Sequence, residues 1–272
     1  MGPITTLWLW YYISHSFAYG VSPFSDLVGF TSMSSVLHPS HIFRVLNAVF
    51  TQLDHASTFL NVWKYETVGD AYITVSNIVK HDRGELMSQR LVFHPCLPPS
   101  FISPPLRCPM LLSPSHILFI SPTRQSCSPT ESEITALTMG VTLIHVANRV
   151  VVEMPDGAPP LTLSARVGLN IGPLAGGIAG QKRQVLQLVG DALNTASRME
   201  SNSLPNHVQA TELFWGRLPR QIQELFDRRE LEIKGKGKMT TYIFDAIAKS
   251  TECSALGLNL TALMDLTKDT SA

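Results

Sequence analysis

Half of the chain's 18 prolines fall between residues 83 and 130. Proline fixes φ and has no amide proton to donate, so a stretch of this density sustains neither a helix nor a sheet ladder. From 91 to 130 the only side chains charged at neutral pH are Arg107 and Arg124. That is too apolar for an ordinary solvated linker, and the stretch reads as a disordered or poorly packed insertion. The fold must therefore be assembled from the blocks on either side of it. With 44% hydrophobic residues, the 272-residue chain has the apolar material for one large domain or two small ones.

In the first block, Ile42, Val45, Leu46, Val49 and Leu53 recur at helical spacing across residues 41–62. The period then changes. In "WKYET", Trp63, Tyr65 and Thr67 alternate with Lys64 and Glu66, and "YITVS" is a second β-rich run. The intervening "VGDA" makes them a hairpin with Gly69 and Asp70 at its tip.

In the second block, Ile134, Leu137, Val141 and Ile144 predict an amphipathic helix from near Glu131 to about Val152. In "LSARVGLNI", Leu163, Ala165, Val167, Leu169 and Ile171 alternate with Ser164, Arg166, Gly168 and Asn170, a half-buried strand. "GPLAGGIAG" reads as a turn and "QVLQLV" as a short strand. In "VGDALNTASRME", Asp191 can cap a helix whose Leu193, Ala196 and Met199 share a face. "TELFWGRL" reads as a helix, and "RRELEIKGKGKMTTYIFDAI" as two strands joined by a Gly/Lys hairpin. A weakly ordered tail, 249–272, follows. The order of elements predicts an α+β fold with helices on one face of a largely antiparallel sheet.

Several function classes are set aside. Lys plus Arg equals Asp plus Glu at 21 each, so no global field attracts nucleic acid and no basic run attracts lipid. Cys96, Cys108, Cys127 and Cys253 form no CxxC pair and no zinc spacing, and read as free thiols. The apolar N-terminal segment, 1–23, lacks the positive start of a signal peptide. Its run "LWLWYYISHSFAYGV" is broken by Ser14, His15, Ser16 and Gly20, and reads as a buried strand or as sequence foreign to the domain.

Four local patterns carry chemistry. In "FSDLVGFT", Asp26 ends an apolar run, Gly29 lets the chain turn and Thr31 can cap a helix. A carboxylate beside free backbone amides suits a metal-bound phosphate. Asp70, at the hairpin tip, supplies a second carboxylate if its strand pairs with that of Asp26, and two carboxylates leave positions open on a Mg²⁺ ion. Asn194 and Arg198 lie one helical turn apart, an amide and a guanidinium aimed together at an anion. Lys234 and Lys236 occupy a Gly-rich turn and suit a triphosphate.

In this order and spacing the segments resemble the catalytic domain of the class III nucleotidyl cyclases, the adenylate and guanylate cyclases. "FSDLVGFTSMSS" and "WKYETVGDAYITVS" are similar to the family's two metal motifs. "ARVGLNIGPLAGGIAG" is similar to its strand and Gly-rich turn, "LVGDALNTASRMES" to its signature helix, and "IKGKGKMTTYIF" to its closing hairpin. The likeness covers residues 24–82 and 131–246, so the catalytic domain is placed at 24–248 with the 83–130 insertion inside it.

The resemblance implies a ferredoxin-like sandwich working as a homodimer, or as a heterodimer with another cyclase domain, with the active site in the cleft between chains. Asp26 and Asp70 would hold two Mg²⁺ or Mn²⁺ ions, and the backbone at Gly29, Phe30 and Thr31 would touch the triphosphate. From the partner chain, Asn194 would position the ribose, Arg198 would stabilise the α-phosphate and Lys234 would bind the terminal phosphates. The expected reaction is attack of the 3′ hydroxyl on the α-phosphorus with loss of pyrophosphate. Glu66 and Gln187 fall at the family's two base-reading positions. A carboxylate accepts from the N1–H and exocyclic amine of guanine, which favours GTP over ATP. Family members work in the cytoplasm, many at the cytoplasmic face of a membrane through an N-terminal tether. Against activity stand Gly20 and Pro23 in the first strand, which predict a displaced Asp26 and a non-catalytic dimerisation module as the alternative.

Overall fold

The longest strand pairing among the described residues is made by the segment that carries Gly20 and Pro23. In the computed structural model, which describes residues 19–76, 129–155, 158–179 and 185–256, Tyr19–Val28 forms one ten-residue strand, β1. It pairs antiparallel along its whole length with β6 (Ser164–Pro173), Tyr19 opposite Pro173 and Val28 opposite Ser164. The disruption expected from Pro23 does not occur. On the other side of β1 the register with β3 (Ala71–Val75) covers only Phe24 and Ser25. Pro23 is thus paired on one side alone, where a strand tolerates a residue with no amide proton.

Between β1 and β3 come α1 (Phe30–Val36), α2 (Pro39–Phe59) and β2 (Trp63–Val68). The second block supplies α3 (Pro129–Arg149), β4 (Val151–Val152), β5 (Leu161–Thr162), β6, β7 (Ala175–Ala179), β8 (Val185–Val189) and α4 (Asp191–Ser201). It closes with β9 (His207–Thr211), α5 (Glu212–Trp215), α6 (Arg220–Gln223), β10 (Asp227–Ile233), β11 (Gly237–Asp245) and α7 (Ser250–Ala255). Among the described residues the main sheet has seven strands in the order β10-β11-β9-β6-β1-β3-β2. All neighbours are antiparallel except β6 and β9. The fold is α+β, as the order of elements predicts.

Other expectations need correction. Helices cover both faces of the sheet, not one: α3 packs on one face of β6 and α4 on the other. Val167 of β6 lies against Gly140 of α3, whereas Gly168 and Gly172 of the same strand lie against the α4 backbone and Ala192. A β-carbon at Gly168 would stand 2.1 Å from the Ala196 carbonyl oxygen, so only glycine allows α4 to seat there. With a helix on each side, β6 is buried on both faces from Val167 to Gly172, not half-buried. For the same reason α3, caught between α2 and the sheet, buries Ala136, Leu137, Met139, Val141, Leu143, Ile144, Val146 and Ala147 rather than one stripe. Each large apolar side chain so buried contributes about 1.5–3 kcal/mol.

Smaller differences follow from the backbone. The strict alternation expected in β2 is broken by a bulge between Lys64 and Glu66, which leaves Tyr65 outside the register and lets Trp63 and Tyr65 pack together. Part of the expected Gly-rich turn, Ala175–Ala179, is a strand that pairs with β8. Helix α3 begins two residues inside the Pro-rich stretch, with Pro129 in its first turn, where a missing amide costs nothing. The rest of the expected insertion lies outside the described residues, as do residues 1–18. The expected tail opens with α7, and Leu256 packs on the core; residues 257–272 are outside the described range. Among the described residues no helix is long and apolar enough to cross a membrane.

Candidate active site

Asp26 sits near the end of β1, and Asp70 at the tip of the β2–β3 hairpin, where Gly69 takes φ 64° to close the turn. The register of β1 with β3 aligns the two, and the Ser25 hydroxyl fixes it by donating to the Tyr72 carbonyl at 2.8 Å. The hairpin is also anchored from below. Tyr72 donates to Asp54 of α2 at 2.6 Å, and Lys64 pairs with the same carboxylate at 2.7 Å. As a result the Asp26 carboxyl stands beside that of Asp70, close enough to act on it. Burial, together with the Asp26 carboxyl beside it, pushes Asp70 up to about 6, while the amides of Asp70 and Leu27 pull it back.

Two charged groups not expected at the site complete this cluster. Arg166 of β6 stands opposite Asp26 in the β1–β6 register and donates to it at 2.8 Å. Its other edge donates to Glu200 of α4 at 2.9 Å. Glu200 is buried, 5% exposed, and burial pushes it up to about 7 against the pull of Arg166. A single guanidinium thus serves two carboxyl groups, Glu200 and Asp26, with a third, Asp70, beside Asp26. The shortage of positive charge is what a cation between Asp26 and Asp70 would relieve, and that is the sense in which the pair fits a metal ion. Among the described residues no group of three or more His, Cys, Asp or Glu could hold a metal. A cation here would have two protein carboxylates and open positions.

The other candidate residues lie elsewhere. In α4 the buried face carries Ala192, Thr195, Ala196, Met199 and Glu200. Asp191, Asn194 and Arg198 fall at i, i+3 and i+7, one exposed stripe on the opposite side. Glu200 therefore reaches the acidic cluster through one face of the helix while Asn194 and Arg198 point away through the other. Among the described residues no hydrogen bond or ion pair joins Asn194, Arg198 or Lys234 to Asp26 or Asp70. Lys234 is exposed at the first position of the turn between β10 and β11. Two capping expectations also change. The N-cap of α4 is Gly190, with Asp191 inside the first turn, and the N-cap of α1 is Gly29 at φ 79°, with Thr31 inside the helix. The amides of Phe30 and Thr31, in the first turn of α1, have no helical carbonyl to bond.

Glu66 and Gln187 are both exposed, and a bond between their neighbours links their strands. The Leu188 amide donates to the Tyr65 hydroxyl at 2.9 Å, tying β8 to β2. The missed residues share a cause: Arg166 looks like the polar side of an alternating strand, Glu200 like a helix surface residue and Tyr65 like an inward aromatic.

A profile described as "Adenylate and Guanylate cyclase catalytic domain" matches residues 21–93 and 122–246. The human guanylate cyclase soluble subunit beta-2 is 30% identical over 238 residues, 88% of this chain and 30% of its own length. The receptor-type guanylate cyclase gcy-28 of Caenorhabditis elegans is 28% identical over 222 residues, 80% of this chain and 13% of its own length. The chain thus spans less than a third of either relative. Among solved structures, the guanylate cyclase domain of RhGC from Catenaria anguillulae in complex with GTP superposes with a TM-score of 0.57 at 25% identity, covering 84% of this chain and 96% of that one.

Proposed function

The chain belongs to the adenylate and guanylate cyclase catalytic domains, and from that premise we propose that it converts GTP to cyclic GMP and pyrophosphate in a cleft shared by two chains. The observation that carries the proposal is the placement of the Asp26 and Asp70 carboxyl groups side by side, one near a strand end and one at a hairpin tip, at a cost that a divalent cation would offset. Mg²⁺ or Mn²⁺ ions held there, two in the reading from resemblance, would neutralise the triphosphate and acidify the ribose 3′ hydroxyl. The amides of Phe30 and Thr31, freed by Gly29, donate to phosphate oxygens beside Asp26.

The rest of the site comes from the second chain. Because α4 turns Asn194 and Arg198 away from the acids of its own chain, their natural target is a nucleotide held by a partner's acids. Asn194 orients the ribose, Arg198 meets charge that develops on the α-phosphate, and Lys234 binds the terminal phosphates. This arrangement serves a homodimer and a heterodimer with another cyclase domain equally. Glu66 accepts from the donor edge of guanine and Gln187 donates to its carbonyl, the basis for GTP over ATP. The Catenaria domain was solved with GTP, which supports the same choice. The substrate is a cytosolic metabolite, so the domain is assigned to the cytoplasm or to the cytoplasmic face of a membrane.

The test is purified chain with Mn²⁺ and either GTP or ATP, with cyclic product measured by mass spectrometry. Cyclic GMP that disappears in Asp70→Asn supports the proposal, and cyclic AMP alone makes it an adenylate cyclase. No product from either, with no Mn²⁺-induced rise in melting temperature, leaves a non-catalytic module.

A further inference from the structure

The exposed stripe of α4 begins with Asp191, and Asp191 is not free: both of its carboxylate oxygens accept from the ammonium of Lys236 in the β10–β11 turn. The Thr195 hydroxyl donates to the same carboxylate at 3.3 Å, which ties it to its own helix. Lys236 is itself held. Its amide donates to the Ile233 carbonyl at 2.9 Å, closing a tight turn, and Gly235 and Gly237 take φ of 78° and 74°, which lets the chain reverse. Lys234 is the first residue inside that turn. We infer that Lys236 is a positioning residue, whose ion pair with Asp191 latches the turn to the end of the α4 stripe and so sets where Lys234 stands relative to Asn194 and Arg198.

By exposure this is an ordinary surface pair: the Asp191 side chain is 70% exposed and that of Lys236 27%, and such pairs contribute little to folding. Placement sets it apart. Asp191, Asn194 and Arg198 lie along one helix face, seven residue steps or about 10 Å from first to last, and the latch ties the hairpin to the N-terminal end of that span. Without it, among the described residues, the turn is held by hydrogen bonds through β10 and β11 alone, β10 being an edge strand of the sheet. The pair has a second effect. An unpaired Asp191 would put a negative charge beside the three groups assigned to an anionic substrate, and Lys236 neutralises it.

The inference rests on the cyclase reading above, and its test keeps the two apart. In the full chain, Lys236→Met and Asp191→Asn are each expected to lower kcat/KM for Mn²⁺-GTP about tenfold, the cost of loosened placement. The double variant falls no further than the worse single one, because both remove one contact. Lys236→Arg retains most of the activity, and melting temperatures stay within about 2 °C of the unsubstituted chain, as for an exposed pair. Independently of activity, the amide of Lys236 should exchange with solvent deuterium several-fold faster in Asp191→Asn. An active chain whose Lys236→Met variant keeps kcat/KM within twofold, or whose turn exchanges no faster, overturns the positioning role and leaves the cyclase reading intact. A chain that makes no cyclic nucleotide sinks the cyclase reading and the positioning role together, whatever the exchange shows.

Discussion

Gly168→Ala adds one methyl group at the point where α4 touches the sheet. Its β-carbon would lie 2.1 Å from the Ala196 carbonyl oxygen, 2.2 Å from the Glu200 amide nitrogen and 2.9 Å from the Glu200 α-carbon. All three are backbone atoms, so no rotamer change relieves the clash. To regain ordinary contact the helix must lift by about 1 Å, a gap that forfeits a quarter to a half of the dispersion energy of atoms along it. The affected atoms belong to Ala192, Ala196 and Met199, all buried on β6 and its neighbours. Overpacking of this kind costs about 1–3 kcal/mol, and a clash with rigid backbone belongs at the upper end. For a domain of this size that is a fall in melting temperature of about 6–12 °C. Activity should fall further than stability at the assay temperature. The same displacement moves Asn194 and Arg198 on one face of α4 and strains the Glu200–Arg166–Asp26 line on the other, and about 1 Å of misplacement can cost 100-fold in rate. Gly172→Ala is the milder comparison: its β-carbon meets the Ala192 methyl at 3.1 Å, which asks for a shift of only a few tenths of an ångström. Calorimetry and initial rates at saturating Mn²⁺-GTP measure both effects. A Gly168→Ala protein that melts within 2 °C of the unsubstituted chain and turns over within twofold of it would refute the reasoning that glycine is required for α4 to seat.

The acidic cluster makes further predictions. Asp70 is raised to about 6 by burial and by Asp26. A carboxyl raised on folding favours the folded state below its unfolded pKa, near 4, and that contribution is lost as pH rises through about 6. Relative to Asp70→Asn, the metal-free chain should therefore lose stability between pH 4 and 6. The rise in melting temperature on adding Mn²⁺ should be larger at pH 7.5 than at pH 5 and absent in the variant. A Mn²⁺ effect independent of pH would count against the paired acids as the cation site. Arg166→Met removes the guanidinium shared by Asp26 and Glu200. It should destabilise by about 3 kcal/mol at pH 8, and by less at pH 6, where Glu200, raised to about 7, takes up a proton instead; urea melts at the two pH values measure this. Tyr65→Phe deletes the acceptor for the Leu188 amide. One lost hydrogen bond of about 1 kcal/mol should narrow the ratio of kcat/KM for GTP over ATP about fivefold while leaving the rate with GTP largely intact; equal narrowing in a distant surface variant would sink the idea.

What the sequence by itself determined here is local. The "VGD" turn between two β-rich runs sets the hairpin and puts Asp70 at its tip, because turn chemistry and period-two alternation act within a few residues. The 3.6-residue period of "DALNTASRME" likewise put Asn194 and Arg198 on one face, and the Gly/Lys run set the closing hairpin. The motif likeness in this order named the family. What only the tertiary structure decided lies across the chain. Arg166 meets Asp26 over 140 residues and Glu200 over 34, through the pairing of β6 with β1 and the seating of α4 on Gly168. No periodicity foretells which strands become neighbours, so Arg166 and Glu200 read as solvent-facing when they are joined to the acids. The strand through Pro23 holds for the same reason: whether a missing amide proton matters depends on whether a neighbouring strand lies on that side, and strand order is settled by global packing rather than by the residue itself.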